Sequence, residues 1–159
     1  MRQNAFHRIS LMVFLALGCA SCGFTPVYAP GSKTATELSD ITIAPPKNDV
    51  ASFIFVKELE DRIGRNLNGG KVLKHDIWIF EEGAGLIGAD RIRVIGKVTY
   101  EVVSAKDGSS LFGGSVENFV GFSILNNITT FVRKDATERL MTILVDQLVT
   151  QLMMTVAAP

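Results

Sequence analysis

Cysteine and histidine are scarce in this 159-residue chain, at two residues each, and tryptophan occurs once. Two cysteines cannot build the disulfide framework on which small secreted scaffolds rest. So few histidines, apart from any cysteine cluster, do not make a zinc site. Charge of either sign is not in excess: 16 basic residues stand against 16 acidic ones, which leaves no bulk footprint for nucleic acid. The sequence has neither an internal repeat nor a low-complexity tract.

What is present begins at the N-terminus. Arg2 and Arg8 precede Ile9-Ser-Leu-Met-Val-Phe-Leu-Ala-Leu-Gly-Cys19-Ala-Ser-Cys22. A basic start, a short apolar run and small residues form a secretory leader. The run falls short of the roughly 20 apolar residues that a spanning helix needs. A cysteine at the cleavage point adds the lipid attachment of bacterial lipoproteins, in which that cysteine becomes the first residue. Cys19 follows Leu15-Ala16-Leu17-Gly18, close to the usual lipobox, whereas Cys22 has Cys19 where leucine is the norm. The local pattern leans toward Cys19 and leaves both open. Cleavage before Cys22 would leave 138 residues with 14 basic against 16 acidic side chains, enough for one domain with a core. The acyl chains of such an anchor together hold a protein stably where one chain would not.

Beyond the leader, the pattern predicts a tether and then one α+β domain. Residues 22–37 contain Pro26, Pro30, Gly31 and Ser32 and read as the tether. The domain is expected over 38–156. Leu38–Ala44 alternates and stops at Pro45-Pro46, a short strand. Asn48 or Asp49 caps a helix with Phe55, Val56, Leu59, Ile63 and Leu67 on one face, halted by Asn68-Gly69-Gly70. Lys71–Phe80 is a strand apolar on both faces, which suggests a sheet covered on more than one side. Glu81–Ala89 is a glycine-rich connection. Arg91–Val103 alternates most clearly: Ile92, Val94, Val98, Tyr100 and Val102 share one face, while Arg91, Arg93, Lys97, Thr99 and Glu101 share the other, with Ile95 an exception. Lys106-Asp-Gly-Ser109 is a hairpin turn to Leu111–Val120. After a connection over 121–127, a long helix runs from about Ile128 to Met153, with Val132, Ala136, Leu140, Ile143, Leu144, Leu148 and Leu152 on its stripe. The expected fold is thus a mostly antiparallel sheet of about four strands with two helices on one face.

No catalytic constellation emerges, and neither an enzyme activity nor a cofactor or metal is expected. Gly83-Ala-Gly85-Leu-Ile-Gly88 matches G-x-G-x-x-G, but a strand pattern follows it where a dinucleotide site needs a helix. His75 alone remains after cleavage and reads as a strand residue with an ordinary partner. Glu81 and Glu82, being adjacent, point to opposite faces and do not pair for acid–base work. Arg91, Arg93 and Lys97 form a basic strip about 7 Å apart per two residues. Such a strip either solvates a sheet face or bonds phosphates by charge-assisted contacts.

Several segments resemble the LptE family of lipopolysaccharide-assembly lipoproteins, in its alphaproteobacterial form. Cys22-Gly-Phe-Thr-Pro-Val-Tyr28-Ala-Pro-Gly31 resembles the family's mature start, Arg91-Ile-Arg-Val-Ile-Gly-Lys-Val-Thr-Tyr100 its central strand, Glu117–Ser123 its passage into the last helix, and Ala136–Leu152 its closing helix. Phe122 departs where many members have tyrosine. The resemblance implies lipidation at Cys22, with 1–21 removed as the leader and Cys19 lost with it. It implies an outer-membrane lipoprotein, facing the periplasm, that partners an LptD-like β-barrel and helps place lipopolysaccharide. Arg91, Arg93 and Lys97 become the candidate contacts for lipopolysaccharide or partner. A periplasmic lipoprotein serving an ABC-type lipid transporter is the alternative of similar layout.

Overall fold

The computed structural model describes residues 31–83, 91–123 and 129–157. Cys19, Cys22, the leader, most of the tether and the glycine motif beyond Gly83 lie outside the described residues.

Among the described residues seven elements follow in order: helix α1 (Lys33–Ser39), strand β1 (Ile41–Ile43), helix α2 (Val50–Ile63), strands β2 (Lys71–Gly83), β3 (Arg91–Ser104) and β4 (Ser110–Ser123), and helix α3 (Thr129–Ala157). The fold is α+β. The strands lie in the order β1-β2-β3-β4, with β1 parallel to β2 and the other pairs antiparallel.

The first element departs from the sequence reading. Lys33–Glu37, expected within the tether, and Leu38–Ser39, expected as strand, form α1 instead. The Ser32 hydroxyl caps it by accepting from Ala35 N–H at 3.1 Å, and Thr34 and Leu38 are buried. Ile41 and Ile43 keep the period of a strand, whereas Leu38 stands three residues before Ile41 and reaches the same core from the last turn of a helix. The strand proper is only Ile41–Ile43.

Helix α2 starts where its cap predicts: the Asp49 carboxylate accepts from Ser52 N–H at 2.7 Å. Phe55, Val56, Leu59 and Ile63 are buried. Leu67, expected on the same face, is 71% exposed. The helix has already ended at Gly64, whose φ of 89° suits glycine and whose N–H donates to the Glu60 carbonyl at 2.9 Å.

Helix α3 is long and apolar enough to cross a membrane by length and composition, yet it is the core helix here. It packs on β3, β4, α1 and α2. Packing against two strands and two helices demands a broad apolar sector, so Met141, Val145 and Val149 are buried alongside the predicted Ala136, Leu140, Leu144, Leu148 and Leu152. Gly96 on β3 permits the close approach: a Cβ there would lie 2.9 Å from Leu144 Cδ1 and 3.0 Å from Leu140 Cδ2. Val94, Val98, Tyr100, Val102, Val116 and Val120 complete the buried face of the sheet.

Candidate functional site

The helices cover one face of the sheet. Among the described residues nothing covers the other. The expectation of cover on both sides therefore fails, although both faces of β2 are apolar. Inward, β2 gives Leu73 and Ile77 to the core. Outward, it presents Trp78 at 66% and Phe80 at 54% exposure.

The register assembles this open face from three strands. Phe80 lies beside Ile95, and Ile95 beside Phe119, making an apolar row across β2, β3 and β4. Phe119 is 55% exposed. On one side the next row is Trp78, Lys97 and Glu117, and on the other Glu82, Arg93 and Gly121. Neighbouring strands lie about 4.8 Å apart, so each row is a compact cross-strand group. Ile95 had read as an exception on the cationic face of its strand; the register makes it the centre of the row.

Arg91, Arg93 and Lys97 are exposed on this face, as the alternation predicts. The cations do not stand apart from acidic side chains. Arg93 Nη2 lies 4.0 Å from Glu82 Oε2, and Lys97 Nζ lies 3.9 Å from Glu117 Oε2. Both contacts are solvent-exposed and long, the kind worth little to stability. The Arg93 guanidinium also sits over the Phe119 ring, 5.5 Å from its centroid. Trp78 donates its indole N–H to Asp76 Oδ2 at 2.7 Å, and Lys47 pairs with the other Asp76 oxygen. These two bonds hold the Asp76 carboxyl below the usual carboxylate range, the lysine contact first and the indole second.

At the Arg91 end of the β3–β4 ladder lies a cleft of about 500 Å³ lined by Arg91, Ile92, Arg93, Phe119, Gly121, Phe122 and Ser123. Two guanidinium groups beside two aromatic rings suit a molecule that is anionic at one end and apolar at the other. Lys97 is not among the lining residues, so the three-residue strip divides, with Arg91 and Arg93 at the cleft and Lys97 between Trp78 and Glu117, on the far side of the apolar row.

The two adjacent glutamates separate as the strand period requires. Glu81 turns to the helix side, where its carboxylate accepts from Arg133 Nε at 2.5 Å and from Nη2 at 3.1 Å. Glu82 faces the open side beside Arg93. Both belong to β2, not to a connection.

His75 does not have the ordinary partner expected of it. It lies on the core side of β2 with its ring 5.3 Å from the Phe55 ring, and neither imidazole nitrogen has a hydrogen-bond partner. Burial pushes its pKa down, and Lys47 adds to the effect while Asp76 and Asp49 oppose it. No group of three or more metal-ligating side chains occurs among the described residues.

Sequence reading found the cations and missed the aromatic row. The available signal was an apolar exception on the outward face of each of three consecutive strands. Only the register shows that the exceptions coincide.

No protein-family model and no curated protein matches the sequence. Solved structures do match in fold. A lipoprotein candidate from Caulobacter crescentus superposes with a TM-score of 0.66 at 16% identity, over 79% of this chain and 97% of that one. A minor lipoprotein from Acinetobacter baumannii gives 0.55 at 12% identity, over 75% and 94%. Rare lipoprotein B from Shewanella oneidensis gives 0.51 at 11% identity, over 72% and 92%. At such identities the likeness is one of fold.

Proposed function

We propose that this chain is a non-enzymatic, lipid-anchored lipoprotein of the outer membrane, on its periplasmic side. In this reading it works as LptE-type proteins do, partnering an LptD-like β-barrel in the assembly and insertion of lipopolysaccharide. The observation that carries the reading is the Cys22-Gly-Phe-Thr-Pro-Val-Tyr28 segment, which resembles that family's lipidated start. The shared fold with three solved proteins described as lipoproteins supports it. So does a domain whose helices turn their apolar faces inward, leaving the loops for partners. The Arg91–Arg93 cleft is the natural place for a phosphate of an amphiphile, because paired guanidiniums bond phosphate oxygens in bidentate fashion.

The test has two parts. Metabolic palmitate labelling of Cys22→Ser and Cys19→Ser variants locates the anchor; label retained by Cys22→Ser and lost by Cys19→Ser would refute the assignment. A pull-down from membranes in mild detergent then identifies the heaviest partner. A large β-barrel supports the assembly role, whereas an ABC-type complex would assign the chain to a lipid transporter instead.

A further inference from the structure

The aromatic row has no part in the cleft chemistry beyond Phe119, and its exposure calls for an explanation. Isolated apolar residues on a surface are ordinary, but Trp78, Phe80, Ile95 and Phe119 are contiguous across three strands. The charges bordering the row are balanced pair by pair: Glu82 with Arg93 on one side, Lys97 with Glu117 on the other, and Lys47 with Asp76 behind Trp78.

We propose that this open face of the sheet docks on a zwitterionic phospholipid surface, with Trp78, Phe80 and Phe119 entering the headgroup region. Tryptophan is the side chain most at home there, since its ring is apolar and its N–H is polar. A zwitterionic layer offers phosphate to Arg93 and Lys97 and ammonium to Glu82 and Glu117. A purely anionic surface would meet as many carboxylates as cations in these rows, so charge complementarity selects the mixed surface. The chain outside the described domain is long enough to let this face reach the bilayer once Cys22 is lipidated. Ten residues lie between Cys22 and the start of α1 at Lys33, so the eleven backbone steps reach about 40 Å at most. One helix layer is only about 10 Å across. The proposal rests on the anchored reading for proximity and not on the barrel partnership.

Trp78 is the only tryptophan in the chain, so its emission reports this face alone. Protein purified from membranes is placed in phosphatidylethanolamine–phosphatidylcholine vesicles, with and without bromine on the acyl chains. Emission should shift to the blue and be quenched by the brominated lipid. High salt should change the quenching little, because the bordering charges balance. In the folded Phe80→Ser, Phe119→Ser variant the docked fraction should fall about tenfold or more, as two buried rings are lost. The mass of the N-terminal peptide reports the anchor separately, so a missing anchor and a missing dock are told apart. Equal emission in brominated and plain vesicles, with the anchor intact, overturns the proposal. Quenching that appears only after lipopolysaccharide is added overturns it too and gives the face to that lipid.

Discussion

Gly96 sets how closely α3 approaches the sheet, and a methyl group placed there measures that fit. The added Cβ of Gly96→Ala would stand 2.9 Å from Leu144 Cδ1, 3.0 Å from Leu140 Cδ2 and 3.3 Å from Leu140 Cγ. Both leucines are fully buried, so neither can swing into solvent. Overpacking of this kind costs about 1–3 kcal/mol, and replacing glycine inside a strand returns about 0.5–1 kcal/mol of backbone entropy. The net expectation is a loss of about 0–2.5 kcal/mol. At about 4 °C per kcal/mol for a domain of this size, the melting temperature should fall by about 10 °C at most. Gly96→Val should cost more, since it drives two further methyl groups toward the same leucines. Leu144→Ala alone should lose about 2–5 kcal/mol, and less in the Gly96→Ala background, where the new methyl occupies part of the vacated space. Urea melts followed by circular dichroism give these values, provided the m-value stays constant. A Gly96→Val protein as stable as the parent, or strictly additive losses in the Gly96→Ala, Leu144→Ala double variant, would refute the close-packing account.

His75 makes a pH prediction. Its pKa is lowered in the folded state, so below about 6.5 the unfolded chain binds a proton that the folded chain refuses. Stability should therefore fall as pH drops from about 7 and level off once folded His75 is itself protonated; His75→Phe, which keeps the ring against Phe55, should flatten the slope, and an unchanged slope would exonerate the residue. Asp49→Ala removes the cap of α2 and should cost about 0.5–2 kcal/mol, read by denaturant melts, with Asp49→Ser recovering most of it. Arg91→Ala with Arg93→Ala, checked for folding by circular dichroism, should weaken lipopolysaccharide binding about tenfold or more. Charge-assisted bonds are worth about 1.5–3 kcal/mol each, and unchanged affinity would leave these arginines as surface. Glu81→Ala should cost under about 1 kcal/mol, because its bonds to Arg133 are solvent-exposed; a loss of several kcal/mol would mean the pair is more than a surface ion pair.

The parts of the fold that depend on local periodicity and capping are legible from the residues alone. The alternation of β3, the Asp-Gly hairpin before β4, the Asp49 cap and the Leu140-to-Leu152 stripe each follow from residues a few positions apart, where steric and hydrogen-bonding rules act within one element. The α+β class follows from their order. Tertiary structure decided what depends on residues far apart in the chain. Leu38 could have belonged to a strand or to a helix, and its place in the common core goes with the last turn of α1. Leu67 keeps helical spacing but lies past Gly64, where the backbone has already turned. Met141, Val145 and Val149 became core because α3 meets two helices as well as a sheet. His75 lost its expected partner because Phe55 of α2 came to lie against it. Above all, three apolar exceptions on separate strands became one exposed row only through cross-strand register. Register is set by turns and by the buried face, so the composition of the open face cannot be read from any single strand.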